Sequence, residues 1–440
     1  VSGYGTVEVA KPEQFFEMAK EAHGRVREDE DSLMFRRYGT PLLVRWKQAT
    51  GELPTKNHYD GTFVEAEKLY EEELEKFVVH TRACYACDIG CKKIYLVDTK
   101  YGKVLVEGPE YEGIMAFGSN LLISDFGAIA KMHEMCNRLG MDDISTGKVL
   151  SFAMEIYEKG IVNREFLDGI DLRWGNSDAA IEMLEKIAYR KGVGNLLAEG
   201  VRRAAEKIGK GAERYAMHVK GLEISGQDGR THRSAGLTHA ISVRGADHLR
   251  SLVTVDQLAY RDVAAQRFGE DKADRVVDGY SEDYKGLVVK VHEEAYAVRD
   301  SLIVCWYSVG WPPIFWVEDF AKLLYLTTGE EAFRDPREVW LIGERIVNLK
   351  RAFNVRLGLD RKDDTLPERF TKEPMPAGPG KGQVVDLERM LREYYELRGW
   401  DVETGLPTRE KLEQLGLWDV ADELERMGRL PRAKAAGEGG

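Results

Sequence analysis

Cysteine is scarce in this sequence, and long hydrophobic runs are missing from it. The 440 residues include five cysteines. Three of them share one short segment, which argues against a disulfide framework and is typical of metal ligands in a reducing compartment. No apolar stretch approaches the roughly 20 residues of a membrane span, and no signal peptide is recognisable. We therefore expect a cytoplasmic protein without a membrane partner.

Basic charge is scarce as well. The formal net charge is −12, whereas a nucleic-acid-binding domain normally presents a basic face, so we expect no nucleic-acid partner. Hydrophobic residues make up 43% of the chain, which is enough for well-buried interiors. A chain of this length usually divides into two or three domains.

Helical periodicity dominates what the sequence does contain. It predicts a mainly α, multihelical fold with a few short strands. The predicted helices begin at Pro12 and then cover approximately residues 64–79, 125–139, 145–160, 177–189, 196–208, 257–268, 287–299, 317–326, 337–353, 387–397 and 408–415. Asp125 and Ser145 are the predicted N-caps of two of these helices, which Gly140 and Gly160 end.

Other segments lack this periodicity. Two short alternating stretches flank Tyr101-Gly102 and predict a β-hairpin. Residues 371–382, rich in Pro and Gly, predict a linker. Residues 1–10 resemble the end of a strand, and residues 434–440 are expected to be frayed.

Residues 215–250 form a long segment that is rich in glycine and has no sustained helical period. Four of the nine histidines fall within it. They are His218, His232, His239 and His248. Because long irregular segments inside helical proteins are usually functional or disordered, and because this one is rich in histidine and arginine, we expect it to be functional.

The clustered cysteines have C-x2-C-x3-C spacing. They are Cys84, Cys87 and Cys91. Cysteine is the usual anchor of an iron–sulfur cluster, while a structural zinc knuckle and three buried thiols without metal are the alternatives. A four-iron cluster needs a fourth ligand, for which Cys136 and Cys305 remain, although Cys136 shares a helix face with Met132 and resembles an inert core thiol.

Two further segments, residues 137–142 and 300–305, resemble each other. Each begins with a polar residue and ends five positions later with Asp142 or Cys305. A polar side chain at a helix terminus, with backbone N–H groups nearby, can bind a polar heterocycle or a phosphate. The alternative interpretation is two ordinary helix caps.

A series of short segments carries a family resemblance. In chain order they are VSGYGTVEVAKP, RRYGTP, GELPTKNHYDG, CYACDIGC, GPEYEG, NRLGMDDIS, VKGLE, VRGADHLR, DSLIVC, YYELRGWD and GLP. In this order the sequence resembles the tungsten-containing aldehyde ferredoxin oxidoreductases over essentially its whole length.

The resemblance implies a set of cofactor ligands. A [4Fe–4S] cluster would be held by Cys84, Cys87, Cys91 and Cys305. Tungsten, or molybdenum, would be held by two pterins, which the family binds with two D-x-x-G-L-(C/D) motifs. These motifs fall on Asn137, Asp142 and Asp300, with Asn137 replacing the family's aspartate, so that an amide stands where a charge is expected.

The resemblance also implies catalytic residues and partners. The catalytic carboxylate would be Glu112, with Glu110 as second choice, and the active-site histidine would be His248. The carboxylate would take a proton while the histidine orients a carbonyl oxygen. The expected reaction oxidises a small aldehyde to a carboxylic acid, and the cluster passes single electrons to ferredoxin.

Domain organisation and alternatives follow from the same resemblance. We expect two helical domains, residues 1–214 and 215–440, and an upstream N-terminal domain that covers the pterins in the family. Homodimerisation is expected to be possible, but without the family's bridging metal, because residues 130–133 retain the histidine of an E-x-x-H motif and lack its glutamate. The alternatives are a subunit of a benzoyl-CoA type reductase, or an iron–sulfur electron-transfer or structural subunit without its own pterin.

Overall fold

The structure is a computed structural model in which Gly5 and residues 8–431 are described. The predicted strand end at residues 1–10 lies largely outside the described residues, and the predicted frayed segment 434–440 lies entirely outside them. Within the described part of the chain, helices predominate and strands are few and short. The predicted mainly α, multihelical class is therefore confirmed.

Ten helices precede residue 215. They are α1 Pro12–Glu28, α2 Glu30–Tyr38, α3 Leu43–Thr50, α4 Glu71–Glu75, α5 Tyr111–Phe117, α6 Phe126–Leu139, α7 Asp143–Glu158, α8 Ser177–Ala188, α9 Gly194–Leu197 and α10 Gly200–Ile208.

Ten more helices follow in the described residues. They are α11 Arg233–Ile241, α12 Arg261–Phe268, α13 Ala273–Val276, α14 Lys285–Ser301, α15 Val317–Thr328, α16 Pro336–Arg356, α17 Glu368–Thr371, α18 Leu387–Arg398, α19 Arg409–Gln414 and α20 Trp418–Arg426. No helix within residues 8–431 is both long and apolar enough to cross a membrane.

Two small antiparallel sheets accompany the helices. One contains β1 Val78–Arg82, β2 Lys92–Thr99 and β3 Gly102–Glu107 in that spatial order. The other pairs β4 His218–Val219 with β5 Leu222–Glu223. The predicted hairpin is confirmed, because β2 and β3 pair up to the turn at Tyr101-Gly102. The cysteine loop connects β1 to β2, so the first sheet fixes both of its ends.

The first hydrophobic core surrounds α5. Ile114, Met115 and Phe117 of this helix have no exposed surface. Helix α7 approaches α5 so closely that a Cβ on Gly147 would lie 2.5 Å from the carbonyl oxygen of Ala116, which requires glycine at that position. This packing places the beginning of α5, and therefore the GPEYEG segment, against the interior of the molecule.

A second core takes its members from Met217 to Trp400 and surrounds α14. Helix α11 is buried on every face, which explains why residues 215–250 show no amphipathic period although they contain a helix. The division into domains 1–214 and 215–440 stays a prediction.

Several predicted element boundaries need correction. Asp125 caps α6 as predicted, and Gly140 ends it in the left-handed conformation. The N-cap of α7 is Asp142, whose side chain accepts a hydrogen bond from the Ser145 N–H, and not Ser145 itself. The helix predicted over residues 64–79 is instead a 3-10 turn, α4 and the start of β1.

The predicted linker at residues 371–382 is packed against the first half of the chain. Met375 within it is 1% exposed. Just before it, Arg369 donates to both carboxylate oxygens of Glu155 at 2.7 and 2.8 Å, and to the carbonyl oxygen of Asn57 at 2.7 Å. This buried ion pair joins sequence positions 214 residues apart, and within the segment a Cβ on Gly378 would lie 3.0 Å from Thr62 Cγ2, so the segment contacts the first half of the chain.

Candidate active site

Four of the five cysteines are neighbours. They are Cys84, Cys87, Cys91 and Cys305. Burial raises the pKa of the Cys91 thiol to about 12, and Glu110 and the other three thiols contribute to the same shift. Such contributions require proximity, so the structure brings Cys305, which follows the C-terminal end of α14, to the loop between β1 and β2.

The donor set of this group fits an iron–sulfur cluster. All five cysteines are free thiols, and each iron of a four-iron cluster takes one cysteine thiolate. Cys136 stands apart, since it has no exposed surface and lies in the first core. Within Gly5 and residues 8–431, no group of three or more His, Cys, Asp or Glu side chains is arranged to hold a single metal ion.

The cysteine loop is held from one side by α1 and α2. Asp88, in the middle of the loop, accepts a hydrogen bond from Arg27 at 2.9 Å and contacts the ring of His23. Arg36 donates to the carbonyl oxygen of the same residue. Because Ile89 is also buried, the loop is anchored at its centre while Cys84 is exposed.

The predicted carboxylate Glu112 lies in the first turn of α5 and meets the segment at residues 225–227. Its Oε2 accepts a hydrogen bond from the N–H of Gly226 at 2.7 Å, and its Oε1 accepts one from the side-chain amide of Gln227 at 3.2 Å. His248 Nε2 lies 3.6 Å from the same Oε1. The two predicted catalytic residues are thus brought together, although 136 positions separate their numbers in the sequence.

Gly226 fits this position because it has no side chain. The Tyr111 hydroxyl donates to the Gly226 carbonyl oxygen at 2.6 Å, so both sides of this glycine are bonded to α5. A Cβ there would lie 2.7 Å from Tyr111 Cε1 and 2.9 Å from Glu112 Oε2. The close approach therefore fixes the position of the carboxylate.

A buried lysine lies close enough to Glu112 to be affected by its charge. Lys148, on α7, has no exposed surface and donates to Asn120 Oδ1 at 3.0 Å. Burial lowers the pKa of Lys148 to about 7, against the opposing effect of Glu112 and Asp228. Near its carboxylate, the site consequently has a lysine that is cationic or easily ionised.

Glu110, the second choice for the catalytic carboxylate, faces the cysteine group instead. Burial raises the pKa of Glu110, and the Thr40 hydroxyl donates to its Oε2. Tyr307 lies close to both regions, since Glu110, Cys91, Cys305 and Glu112 add to the effect of burial in raising its pKa. The cysteine group and the carboxylate site therefore share a boundary at this ring.

The segment that carries His248 is connected to the end of α14. Arg250 lies 3.3 Å from Asp247 and donates to Asp300 Oδ2 at 2.7 Å. Arg299 also donates to Asp300, to its Oδ1. Arg299 donates in addition to the Leu249 carbonyl oxygen at 3.3 Å, so two arginines join the histidine segment to the segment that supplies Cys305.

The residues predicted to bind pterins lie at helix ends and are at least partly exposed. Asp300 is in the last turn of α14, so the free backbone N–H groups expected beside it are not there. Asn137 is in the last turn of α6, and its amide lies 3.0 Å from His133 Nε2. Asp142 caps α7, where its carboxylate bonds to the Ser145 N–H at 2.8 Å. All three side chains already have partners in the chain, and their binding to pterins stays a prediction.

Comparison with known proteins identifies the family. A family model described as aldehyde ferredoxin oxidoreductase, domains 2 and 3, matches residues 17–417. The chain belongs to the aldehyde ferredoxin oxidoreductase family. The resemblance seen in the short motifs is therefore confirmed.

Curated members of the aldehyde ferredoxin oxidoreductase family resemble the chain along most of its length. It is 37% identical over 422 residues to the tungsten-containing enzyme of Pyrococcus furiosus and 36% identical over 422 residues to that of Thermococcus kodakarensis. Both alignments cover 95% of this chain and 66% of the relative. The chain thus spans about two thirds of the length of these oxidoreductases.

Two other proteins show the breadth of the resemblance. The WOR-like subunit of an aliphatic sulfonate oxidoreductase from Pyrococcus furiosus is 33% identical over 362 residues, which cover 78% of this chain and 51% of that subunit. The solved BamBC active site complex of benzoyl coenzyme A reductase with 1,5-dienoyl-CoA has a TM-score of 0.77 at 22% identity. The match covers 98% of this chain and 69% of the matched chain of the complex. At this level of identity the likeness shows a shared fold.

Sequence reasoning missed several side chains of the site. Gly226 and Gln227 lie in the glycine-rich segment, but no motif marks them, and Lys148 is one lysine among many in a helical pattern. The available signal for Lys148 was its place in the helix predicted from residue 145, next to the apolar residues Val149 and Leu150. A buried lysine requires a partner, which directs attention to the neighbouring carboxylates.

Proposed function

We propose that this chain forms the catalytic part of a tungsten-containing oxidoreductase that oxidises an aldehyde to a carboxylic acid and passes the electrons to ferredoxin. Higher identity to the aldehyde enzymes, 37%, than to the benzoyl coenzyme A reductase complex, 22%, favours an aldehyde as substrate. The [4Fe–4S] cluster would be held by Cys84, Cys87, Cys91 and Cys305.

The observation that carries the proposal is the meeting of Glu112 and His248 beside the four thiols. Their Oε1 and Nε2 atoms are 3.6 Å apart, and both side chains are largely but not fully buried, 20% and 13% exposed. A carboxylate and an imidazole that share a partly open site form the minimal pair for moving a proton near a carbonyl group. Tyr307 lies close both to Glu112 and to the cysteine group.

The overall chemistry fixes what the protein groups must do. An aldehyde and one water give a carboxylic acid, two electrons and two protons. The tungsten centre, when bound, supplies a site that accepts two electrons, and the cluster supplies one-electron transfer to the partner. The chain's own residues have to receive protons and orient the carbonyl oxygen.

Glu112 has the geometry of the proton acceptor. The Gly226 and Gln227 donors hold its two oxygens, and its Oε1 also faces His248. His248 can donate from Nε2 to the oxygen of an aldehyde held on the open side of the pair. Glu110 is engaged with Thr40 and faces the cysteines, which makes it the weaker candidate.

The test compares the two carboxylates in the native protein purified without exposure to air. A panel of aldehydes with a viologen acceptor measures aldehyde oxidation, an aryl-CoA thioester measures the reductase alternative, and tungsten, molybdenum and iron are determined on the same samples. We expect Glu112→Gln to lower kcat by ~100-fold or more with unchanged metal content, and Glu110→Gln to lower kcat much less.

Three results would overturn the proposal. Turnover of the thioester without turnover of any aldehyde would assign the reductase function. Iron without tungsten or molybdenum in the wild-type protein would favour an electron-transfer subunit. Full activity of Glu112→Gln would remove its assigned role.

A further inference from the structure

A one-directional hydrogen-bond chain leads away from Glu112 into the buried glycine-rich segment. Gln227 Nε2 lies 3.2 Å from Glu112 Oε1. Ser225 Oγ lies 2.6 Å from Gln227 Oε1, and His239 Nε2 lies 2.9 Å from Ser225 Oγ. Gln227, Ser225 and His239 are all at most 3% exposed, so water does not compete for these bonds.

The chemistry of the acceptors fixes the direction of the chain. A carboxylate has no proton to give, so the Gln227 amide must present its NH2 group to Glu112 and its carbonyl oxygen to Ser225. The Ser225 hydroxyl then donates to that carbonyl oxygen. The Ser225 oxygen remains free to accept a hydrogen bond from the N–H at His239 Nε2.

The tautomer of His239 follows from this direction. Burial, together with His248 and other histidines nearby, lowers the pKa of His239 well below its ordinary value, so the ring is neutral at neutral pH. A neutral imidazole carries one N–H. In His239 this N–H is on Nε2, because the Ser225 oxygen needs a donor there.

We propose that Gln227, Ser225 and His239 are positioning residues that confine the proton received by Glu112 to the side of Oε1 that faces His248. The Gly226 N–H blocks Oε2, and the Gln227 amide blocks one side of Oε1. A proton placed between Glu112 and Gln227 would reverse the amide, the hydroxyl and the imidazole together. Lys148, whose pKa the charge of Glu112 affects, is engaged with Asn120. This inference rests on the proposed role of Glu112.

The first experiment determines the direction of the hydrogen-bond chain without measuring catalytic turnover. The full-length protein is labelled with 15N in histidine, and long-range proton–nitrogen spectra are recorded, with His239→Gln used to assign the signals of His239. We expect His239 to be a neutral Nε2–H tautomer from pH 6 to pH 8 in the wild type. In Ser225→Ala, which removes the acceptor, we expect a mixture of the two tautomers.

The second experiment separates positioning from folding. Gln227→Met keeps the side-chain length without the amide, and we expect it to lower kcat ~10- to 100-fold while KM changes less than about 2-fold. Ser225→Ala should lower kcat less, and Ser225→Thr, which keeps the hydroxyl, should restore it. Ser32→Ala is the matched control, because Ser32 is fully buried in α2 and belongs neither to the hydrogen-bond chain nor to the helix that carries His239.

The outcomes distinguish this inference from the proposed function. A His239 that carries its proton on Nδ1 in the wild type would reverse the chain and overturn the inference, whatever the activity. An unchanged kcat in Gln227→Met, beside an inactive Glu112→Gln, would also overturn it while leaving the proposed function intact. If Gln227→Met does not fold, the spectra of the wild type still decide.

Discussion

The cysteine group and the carboxylate site share a boundary, yet they are built in opposite ways. Cys84 and Cys305 are exposed, and Cys87 and Cys91 are only partly buried. The loop that carries Cys84, Cys87 and Cys91 is held mainly through Asp88. Glu112, in contrast, accepts hydrogen bonds at both oxygens from the buried residues Gly226 and Gln227.

The difference reflects what each group must supply by itself. A metal cluster orders its own ligands once it binds, because metal–thiolate bonds are strong and the binding energy also stabilises the fold. A carboxylate that moves a proton has no such partner, so its geometry must be set in advance by packing and hydrogen bonds. The cysteine group can therefore remain open, whereas the carboxylate has both oxygens held by hydrogen bonds from the chain itself.

The largest expected effect comes from removing the distant cysteine. Cys305→Ser replaces the one thiol of the group that lies outside the loop between β1 and β2, and we expect the loss of the cluster's EPR signal and of most of the bound iron. A serine hydroxyl is a much weaker ligand for iron than a thiolate. Iron analysis and EPR of the purified protein measure the effect.

The control for this prediction is the fifth cysteine. Cys136→Ala changes a thiol that lies in the first core, so its iron content should equal that of the wild type. Four irons per chain retained in Cys305→Ser, or iron lost from Cys136→Ala, would contradict the ligand assignment.

The next largest effect is expected from a substitution that disturbs the carboxylate site and leaves the cysteine group unchanged. Gly226→Ala places a methyl group 2.9 Å from Glu112 Oε2 and 2.7 Å from the Tyr111 ring, so the carboxylate has to move. We expect kcat to fall ~100-fold, as small misplacements of catalytic groups do, with iron content unchanged. Steady-state kinetics and iron analysis are measured side by side.

Gly24→Ala provides the matched control. Gly24 lies within α1, and a Cβ there meets no atom within 4 Å. This substitution should leave kcat unchanged and add about 0.5–1 kcal/mol of stability through helix propensity. Wild-type kcat in Gly226→Ala would show that the close approach does not position the carboxylate.

The smallest expected effect is on stability and concerns the buried charges of His232, Asp256 and Glu52. His232 Nε2 lies 2.9 Å from Asp256 Oδ1, and its Nδ1 lies 3.3 Å from Glu52 Oε1. Burial alone lowers the pKa of His232, but the two carboxylates outweigh it and raise the pKa to about 9. Because the unfolded value is about 6.5, this stabilisation is complete below pH ~6.5 and is lost as the pH rises through 9.

Chemical denaturation between pH 6 and 9.5 measures this contribution, which we expect to be about 3 kcal/mol at most. His232→Gln should lose stability at pH 6.5 and show a flatter dependence above it. His218→Gln is the comparison, since burial lowers the pKa of His218 to about 4 and its charge does not change in this range. Equal slopes in wild type and His232→Gln would refute the assignment.

Local patterns predicted the helical elements well where their ends carry a specific residue. Asp125 and Gly140 bracket α6 because capping depends on neighbouring residues only. The helix predicted over residues 64–79 was wrong, since its last residues pair with β2 as a strand, and strand pairing is a long-range interaction. Residues 215–250 have no period because α11 is buried on all sides.

By itself, the sequence indicated the family, the mainly α class and three candidate metal ligands, Cys84, Cys87 and Cys91, because C-x2-C-x3-C is a local pattern. The resemblance supplied Cys305 and the first choice of Glu112 over Glu110. Only the tertiary structure placed Cys305 beside the loop and Glu110 toward the thiols, whereas the burial of Cys136 was already expected from its helix face. It also revealed Gly226 and Gln227, because contacts between residues more than a hundred positions apart, such as Glu112 and Gly226, leave no local pattern.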